Sequence, residues 1–415
     1  MTTMRTRHEL HKAPPRHARV SSTCLIALLW FFANTAVPGA TNAADLAYPD
    51  TGIADIRSFD VYADGGHVHL LVAGDAAEGK LVLRYLRSLD GGEHWSTPVT
   101  VDTSHTPLGV VKRGNDVQIA ARGQRMVAVW HTPGTGFMGS GPLASAFSEN
   151  GGESWLPGPN PADDGLGDGH AFIDIAADID GLFHLVWLDN RERDEGVQGL
   201  RYARSSDGGA SWSRNLTIDG TTCTCCWNSL AVSKDGMLNV LYRDDTPRDM
   251  ALARSVDGGA PWRQRGAVGA FGWALDGCPH MGGALAAGPR ATLHSLVWTG
   301  ADAQAGLYYL RSADAGGTWS TPRRMGGRSA GHSDIASGPG SSVLAAWDEN
   351  GAEGSAIFAG RSSDAGDTWA DPERLSLPGS VATHPRIVSN AQGFWVLWTE
   401  SAEGGRSTLT IARIR

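Results

Sequence analysis

Charge is scarce in this sequence: Asp, Glu, Lys and Arg make up only 19% of its 415 residues. Long amphipathic helical patterns are also missing, which excludes a helical bundle. Cysteine is sparse, with five in the whole chain. The one apolar run of note, Cys24 to Ala33, is too short to span a membrane comfortably. What is abundant is Gly, at 54, and Trp, at 15. Together these describe an all-β protein with many tight turns.

Residues 1–43 read as an export signal. Arg5, Arg7, Lys12, Arg16 and Arg19 form a basic leader, Cys24 to Ala33 an apolar centre, and Thr41 and Ala43 small residues before a cut after Ala43. Cys24 begins the apolar run rather than ending it, so no Cys is placed for a lipid anchor. The expected product is residues 44–415, periplasmic or secreted, with no stable membrane insertion after cleavage. Its net charge falls from −9 to −13, with 30 basic and 43 acidic residues. Such a surface argues against nucleic acid and anionic membranes as partners.

One octapeptide organises the rest. SSDGGASW, Ser205 to Trp212, recurs as SLDGGEHW from Ser88, SENGGESW from Ser148, SVDGGAPW from Ser255, SADAGGTW from Ser312 and SSDAGDTW from Ser362. Ser and Asp (Asn150 in one copy) bond their own nearby backbone, and Gly supplies positive φ. Trp then adds a large apolar ring. Short β-type runs flank each copy, so each is a turn between two strands. A turn hydrogen bond contributes about 1 kcal/mol net, and a buried Trp roughly 2–3 kcal/mol.

This pattern resembles the Asp-box, or BNR repeat, of sialidases and related β-propellers. The resemblance covers Ser88 to Trp369 and implies a fold rather than an activity. In that family the box is a structural turn away from the active site. Three strands precede each box and one follows, at a spacing near that of a four-stranded propeller blade. First strands start near Gly52, Asn115, His170, Cys226, His280, His332 and His384. That predicts a seven-bladed β-propeller of four-stranded blades. The last repeat lacks a box and a fourth strand, which Asp45 to Ala54 can supply. The alternative is a six-bladed ring, the usual sialidase number, with Val381 to Arg415 packed elsewhere.

Inner strands of a propeller gather their first residues at one end of the channel. Those residues are His170, Cys223, Cys225, Cys226, Cys278, His280, Met281, His332 and His384, with His105 less well placed. Thiolate, imidazole and thioether favour copper, above all Cu(I), with zinc second. The expectation is a metal site for metal binding or metal-dependent redox chemistry. Disulfides compete with it, since an exported protein with an even cysteine number usually forms them. A Cys223–Cys278 bridge would contribute roughly 4 kcal/mol, and no metal would then be bound. Bridging the neighbours Cys225 and Cys226 is strained, so two easy disulfides are hard to draw.

The resemblance also implies a second reading, a sialidase-type glycoside hydrolase or a glycan-binding propeller without catalysis. Sialidases clamp a carboxylate with three arginines and use a Tyr–Glu pair and an Asp acid/base. Arg57, in IRS without the family's Pro, and Arg386, in HPRI, are the positions that match. A third arginine is not evident, and Tyr308 and Tyr309 read as blade packing. His67, His69, His184 and His294, on second strands, read as packing too. Gly134 to Pro142 lacks a strand–helix context for a phosphate loop. Asn215-Leu216-Thr217 fits a glycosylation acceptor but lies in a strand.

Overall fold

The computed structural model describes residues 45–136, 139–191, 198–275 and 277–414. The export-signal reading falls on residues 1–43, outside the described residues. Twenty-eight strands form seven separate four-stranded antiparallel sheets, and the described residues contain no α-helix. None of their helices is long and apolar enough to cross a membrane. The sheets are the blades of a seven-bladed propeller; the six-bladed alternative is overturned. Six blades run consecutively from inner to outer strand. The seventh takes its outer strand from the start of the domain: Asp45–Ala47 pairs with Thr408–Ile414, Leu46 opposite Ala412. The ring therefore closes as the unfinished last repeat requires.

The inner strands are Asp55–Asp64, Gln118–Arg122, Ala171–Ala177, Ser229–Val232, Ala284–Ala287, Ala330–Ser337 and Val381–Asn390, in blades 1 to 7. Side chains from one inner strand staple the next. Asp60 accepts from the Ile119 amide at 2.9 Å, Asp174 from Leu230 at 2.6 Å and Asp334 from Ile387 at 2.7 Å. Each uses a carboxylate to satisfy an amide that faces the channel rather than a strand.

The octapeptide forms the turn its composition predicts. In the first copy Ser88 Oγ donates to Asp90 at 2.8 Å and accepts from the Gly92 amide at 2.7 Å, while His94 N donates to Asp90 at 2.9 Å. The same bonds recur around Ser148, Ser205, Ser312 and Ser362. The Trp rings go elsewhere than into the middle of their own sheets. All six are half-buried, and three lie at a seam between blades, edge-on to a Tyr of the preceding blade: Tyr85–Trp155 at 5.3 Å, Tyr202–Trp262 at 5.2 Å, Tyr309–Trp369 at 4.7 Å. Each Tyr hydroxyl is 2.8 Å from Nδ1 of a second-strand His, namely His69, His184 and His294. The packing reading of these histidines and of Tyr309 agrees with this. The fully buried tryptophans are instead Trp130, Trp187, Trp347 and Trp398, all on second strands.

Candidate metal centre

Just before the inner strand of blade 4, the chain turns through Cys223-Thr224-Cys225-Cys226. Its first amide is fixed to the Arg243 carbonyl at 3.0 Å. This turn folds three buried thiols onto one another: Cys223 to Cys225 is 3.7 Å, Cys223 to Cys226 3.6 Å and Cys225 to Cys226 4.0 Å between sulfurs. All four cysteines among the described residues are free thiols. Cys278 stands apart, exposed, with its sulfur 3.8 Å from Thr224 Oγ1.

The thiols are electrostatically unequal. Those of Cys225 and Cys226 hydrogen-bond to Cys223, which holds Cys223 well below the ordinary thiol range. The Arg248 guanidinium, 3.2 Å from the same sulfur, acts in the same direction. Arg248 is itself fixed by the Leu275 carbonyl at 2.9 Å and by Asp245 at 3.2 Å. The Cys225 thiol is pushed up because it donates to Cys223, and burial pushes Cys226 up to about 12. A thiolate with two thiol neighbours is a group that could hold a metal ion.

Beside this triangle lies a cavity of about 230 Å³ at the mouth of the channel. Cys225, Trp227, His280, His332, His384 and Arg113 are in its wall. The convergence expected from inner-strand starts therefore holds for blades 4 to 7. The inner strands of blades 6 and 7 carry bulges there, between Ala330 and Ser333 and between Thr383 and Arg386. A bulge re-aims the side chain it displaces. His384 and His280 both adopt positive φ, 52° and 53°. His332 and His384 stack with ring centroids 3.5 Å apart. Asp348 accepts from His332 Nδ1 at 2.7 Å and from the amides of His332 and His384, both at 3.0 Å. That bond fixes the His332 tautomer and leaves Nε2 as the donor atom. Burial and the neighbouring His332 ring lower His384 well below the usual imidazole value, so it stays neutral.

Other predicted residues go elsewhere. His170 is buried between Asp164, 3.0 Å from Nε2, and the Gly141 carbonyl, 3.2 Å from Nδ1, and is not in the cavity wall. Met281 is near Gly331, and its carbonyl accepts from Arg243 at 2.9 Å. Arg57 is half-exposed and pairs with Asp75. Arg386 sits deeper in the channel, 2.7 Å from Asp60 and 3.9 Å from Asp334. These two arginines are not brought to one surface: only Arg386 lines the channel. Sequence reasoning missed Trp227, Arg113, Asp348 and Arg248. Trp227 directly follows Cys226 and offered a signal; the other three become visible only through contacts across blades.

No family model matches this chain, and no curated protein matches it. Solved structures do. An ulvan lyase from a polysaccharide lyase family superposes with a TM-score of 0.61 at 9% identity, over 88% of this chain and 94% of that one. A Dyadobacter fermentans protein of unknown function gives 0.51 at 14% identity, over 91% and 100%. A leech intramolecular trans-sialidase gives 0.50 at 14% identity, over 90% and 70%. The shared feature is the propeller fold. At such identity the likeness extends no further.

Proposed function

We propose that this protein binds a thiophilic metal ion, copper(I) foremost, through Cys223, Cys225 and Cys226 at the channel mouth. The observation that carries this reading is the triangle of buried sulfurs with edges of 3.6–4.0 Å. Thiolates on an ion at about 2.3 Å stand about 3.8 Å apart in a tetrahedral site. Three thiolates suit Cu(I) best, and zinc next. His280, His332 or His384 in the adjoining cavity would complete or exchange the ligand set. The ion would supply soft Lewis acidity or one-electron chemistry. The protein's part is to keep one thiol ionised, through hydrogen bonds from its two thiol neighbours and then Arg248, to exclude water from the sulfurs, and to present imidazoles from one side.

The test is metal analysis and free-thiol counting on the purified full chain, with Cu(I) competition against a chromophoric chelator. About one copper per chain is expected, and none in a Cys223→Ser/Cys225→Ser/Cys226→Ser variant. No copper in the untreated protein and no uptake after reduction would overturn the reading.

A second reading is a glycan ligand deeper in the channel, where Trp227 offers a ring and Arg386 a cation. It draws on the structural neighbours, one an ulvan lyase bound to -[GlcA(1-4)Rha3S]- and one a trans-sialidase complexed with 2,7-anhydro-Neu5Ac. The two readings separate by mutation. Arg386→Ala and Trp227→Ala would impair glycan turnover or binding and spare copper, whereas the cysteine variant would do the reverse.

A further inference from the structure

The seams between blades carry a repeating latch. The third strand presents an Arg that donates to the carbonyl of the fourth residue in the next blade's box and pairs with an acid at the sixth. Arg87 reaches the Gly151 carbonyl at 2.8 Å and Glu153 at 3.3 Å. Arg311 reaches the Ala365 carbonyl at 3.1 Å and pairs with Asp367. Arg413 of blade 7 pairs with Glu93 of blade 1. At the seam from blade 4 to blade 5, Arg254 keeps the carbonyl, Ala315 at 3.4 Å, but the sixth box residue is Gly317. The acid is missing, as it is at the seam from blade 3 to blade 4, where Arg204 reaches the Gly258 carbonyl at 2.6 Å and the sixth box residue is Ala260.

The seam from blade 4 to blade 5 gathers more positive charge. The outer strand of blade 4, Trp262–Ala267, places Arg263 directly opposite Arg254, and Arg265, at a bulge two residues on, lines the same cleft. Like charges paired across strands are destabilising. Among the described residues none of these three arginines makes an ion pair, and Nε of Arg254 is buried without a hydrogen-bond partner. Arg254, Arg263 and Arg265 line a cavity of about 190 Å³, with Asp257 as its only carboxylate. A terminal nitrogen of Arg265 lies 3.3 Å from where a side chain on Gly317 would begin.

We infer that this arginine-lined cleft binds an oxyanion, a sulfate or phosphate group. Guanidinium forks match such groups bidentately. The site is on the outer face of blade 4, independent of the thiols. The group could arrive as a free inorganic ion or as an ester on a glycan, and the probes distinguish the two.

The experiment is calorimetry and thermal unfolding of the full chain. Sodium sulfate, sodium phosphate and a sulfated heparin-derived tetrasaccharide are compared with chloride at matched ionic strength. Saturable binding of at least one probe is expected. It should weaken about tenfold or more in Arg263→Ala/Arg265→Ala. Gly317→Glu places a further carboxylate beside Arg265, so it should weaken anion binding as well. Binding of the inorganic ions would assign a free-anion site, and binding of the tetrasaccharide alone an esterified glycan. No saturable binding of any probe would overturn the inference. So would binding unchanged in both the double variant and Gly317→Glu.

Discussion

Gly366 shows how narrowly single residues are specified here. Its φ is 87°, and a Cβ would stand 1.7 Å from the Tyr309 hydroxyl. Gly340 also has positive φ, 66°, but faces open space. Gly366→Ala is therefore expected to lose about 3 kcal/mol in urea unfolding, against about 1 kcal/mol for Gly340→Ala. Equal losses would show that backbone conformation, not contact with Tyr309, is the constraint. The cysteines divide on similar grounds. Cys225 belongs to the buried triangle, whereas Cys278 is exposed beyond Thr224. Cys225→Ser is expected to lose Cu(I) affinity by about a hundredfold or more, and Cys278→Ser by less than about tenfold. Chelator competition on both variants measures this directly.

Between elements, the channel is held by carboxylates that no local pattern announces. Asp60, Asp174 and Asp334 come from three inner strands, and Arg386 from a fourth lies among them. Arg386→Ala removes the cation and leaves Asp60 buried against its staple to Ile119. About 3 kcal/mol of stability should go with it. Adding Asp60→Asn to that variant should restore part of the loss; a further drop instead would mean that the staple, not the charge, dominates. The outer seams are governed by the His–Tyr pairs. Tyr309→Phe removes one neutral hydrogen bond to His294 and should cost about 1 kcal/mol.

At the scale of the whole molecule, two sets of carboxylates pull stability in opposite directions with pH. In the box turns, amide and hydroxyl donors hold Asp90, Asp314 and Asp364 at about 2. Their folded pKa lies below the unfolded one, so their contribution is present above about pH 4 and lost as pH falls through 2. Burial pushes Asp174 up to about 7. Its contribution is full below about pH 4 and disappears as pH rises through 7. Buried His69, His131 and His294, held down at about 4, oppose it by adding stability as pH rises from about 4 toward the unfolded imidazole range. The Asp174 contribution therefore shows in urea midpoints as a difference: the wild type should lose stability relative to Asp174→Asn as pH rises from about 4 to 7, with the acid limb shared by both. A difference that does not change with pH would show that Asp174 does not titrate in this window.

The repeating parts of this protein were legible in its sequence. Six copies of one octapeptide set the strand order, and seven inner-strand starts set the blade count and the need for a strand from Asp45 to Ala54, found at Asp45–Ala47, to close the ring. A box turn is built from residues within eight positions of one another, so its hydrogen bonds follow from composition alone. The rough location of the candidate centre was legible too, because inner-strand starts must meet at one end of a propeller. Tertiary structure alone decided which of those residues meet. It put Cys223, Cys225 and Cys226 in one triangle, set His332 on Asp348, and sent His170 to Asp164. It also revealed the arginine-lined cleft of blade 4, beside a seam latch visible only when neighbouring blades are compared. The reason is physical. Short-range turn chemistry repeats with the chain, whereas bulges, seams and charge compensation depend on how strands and blades pack against one another, which the repeat does not encode.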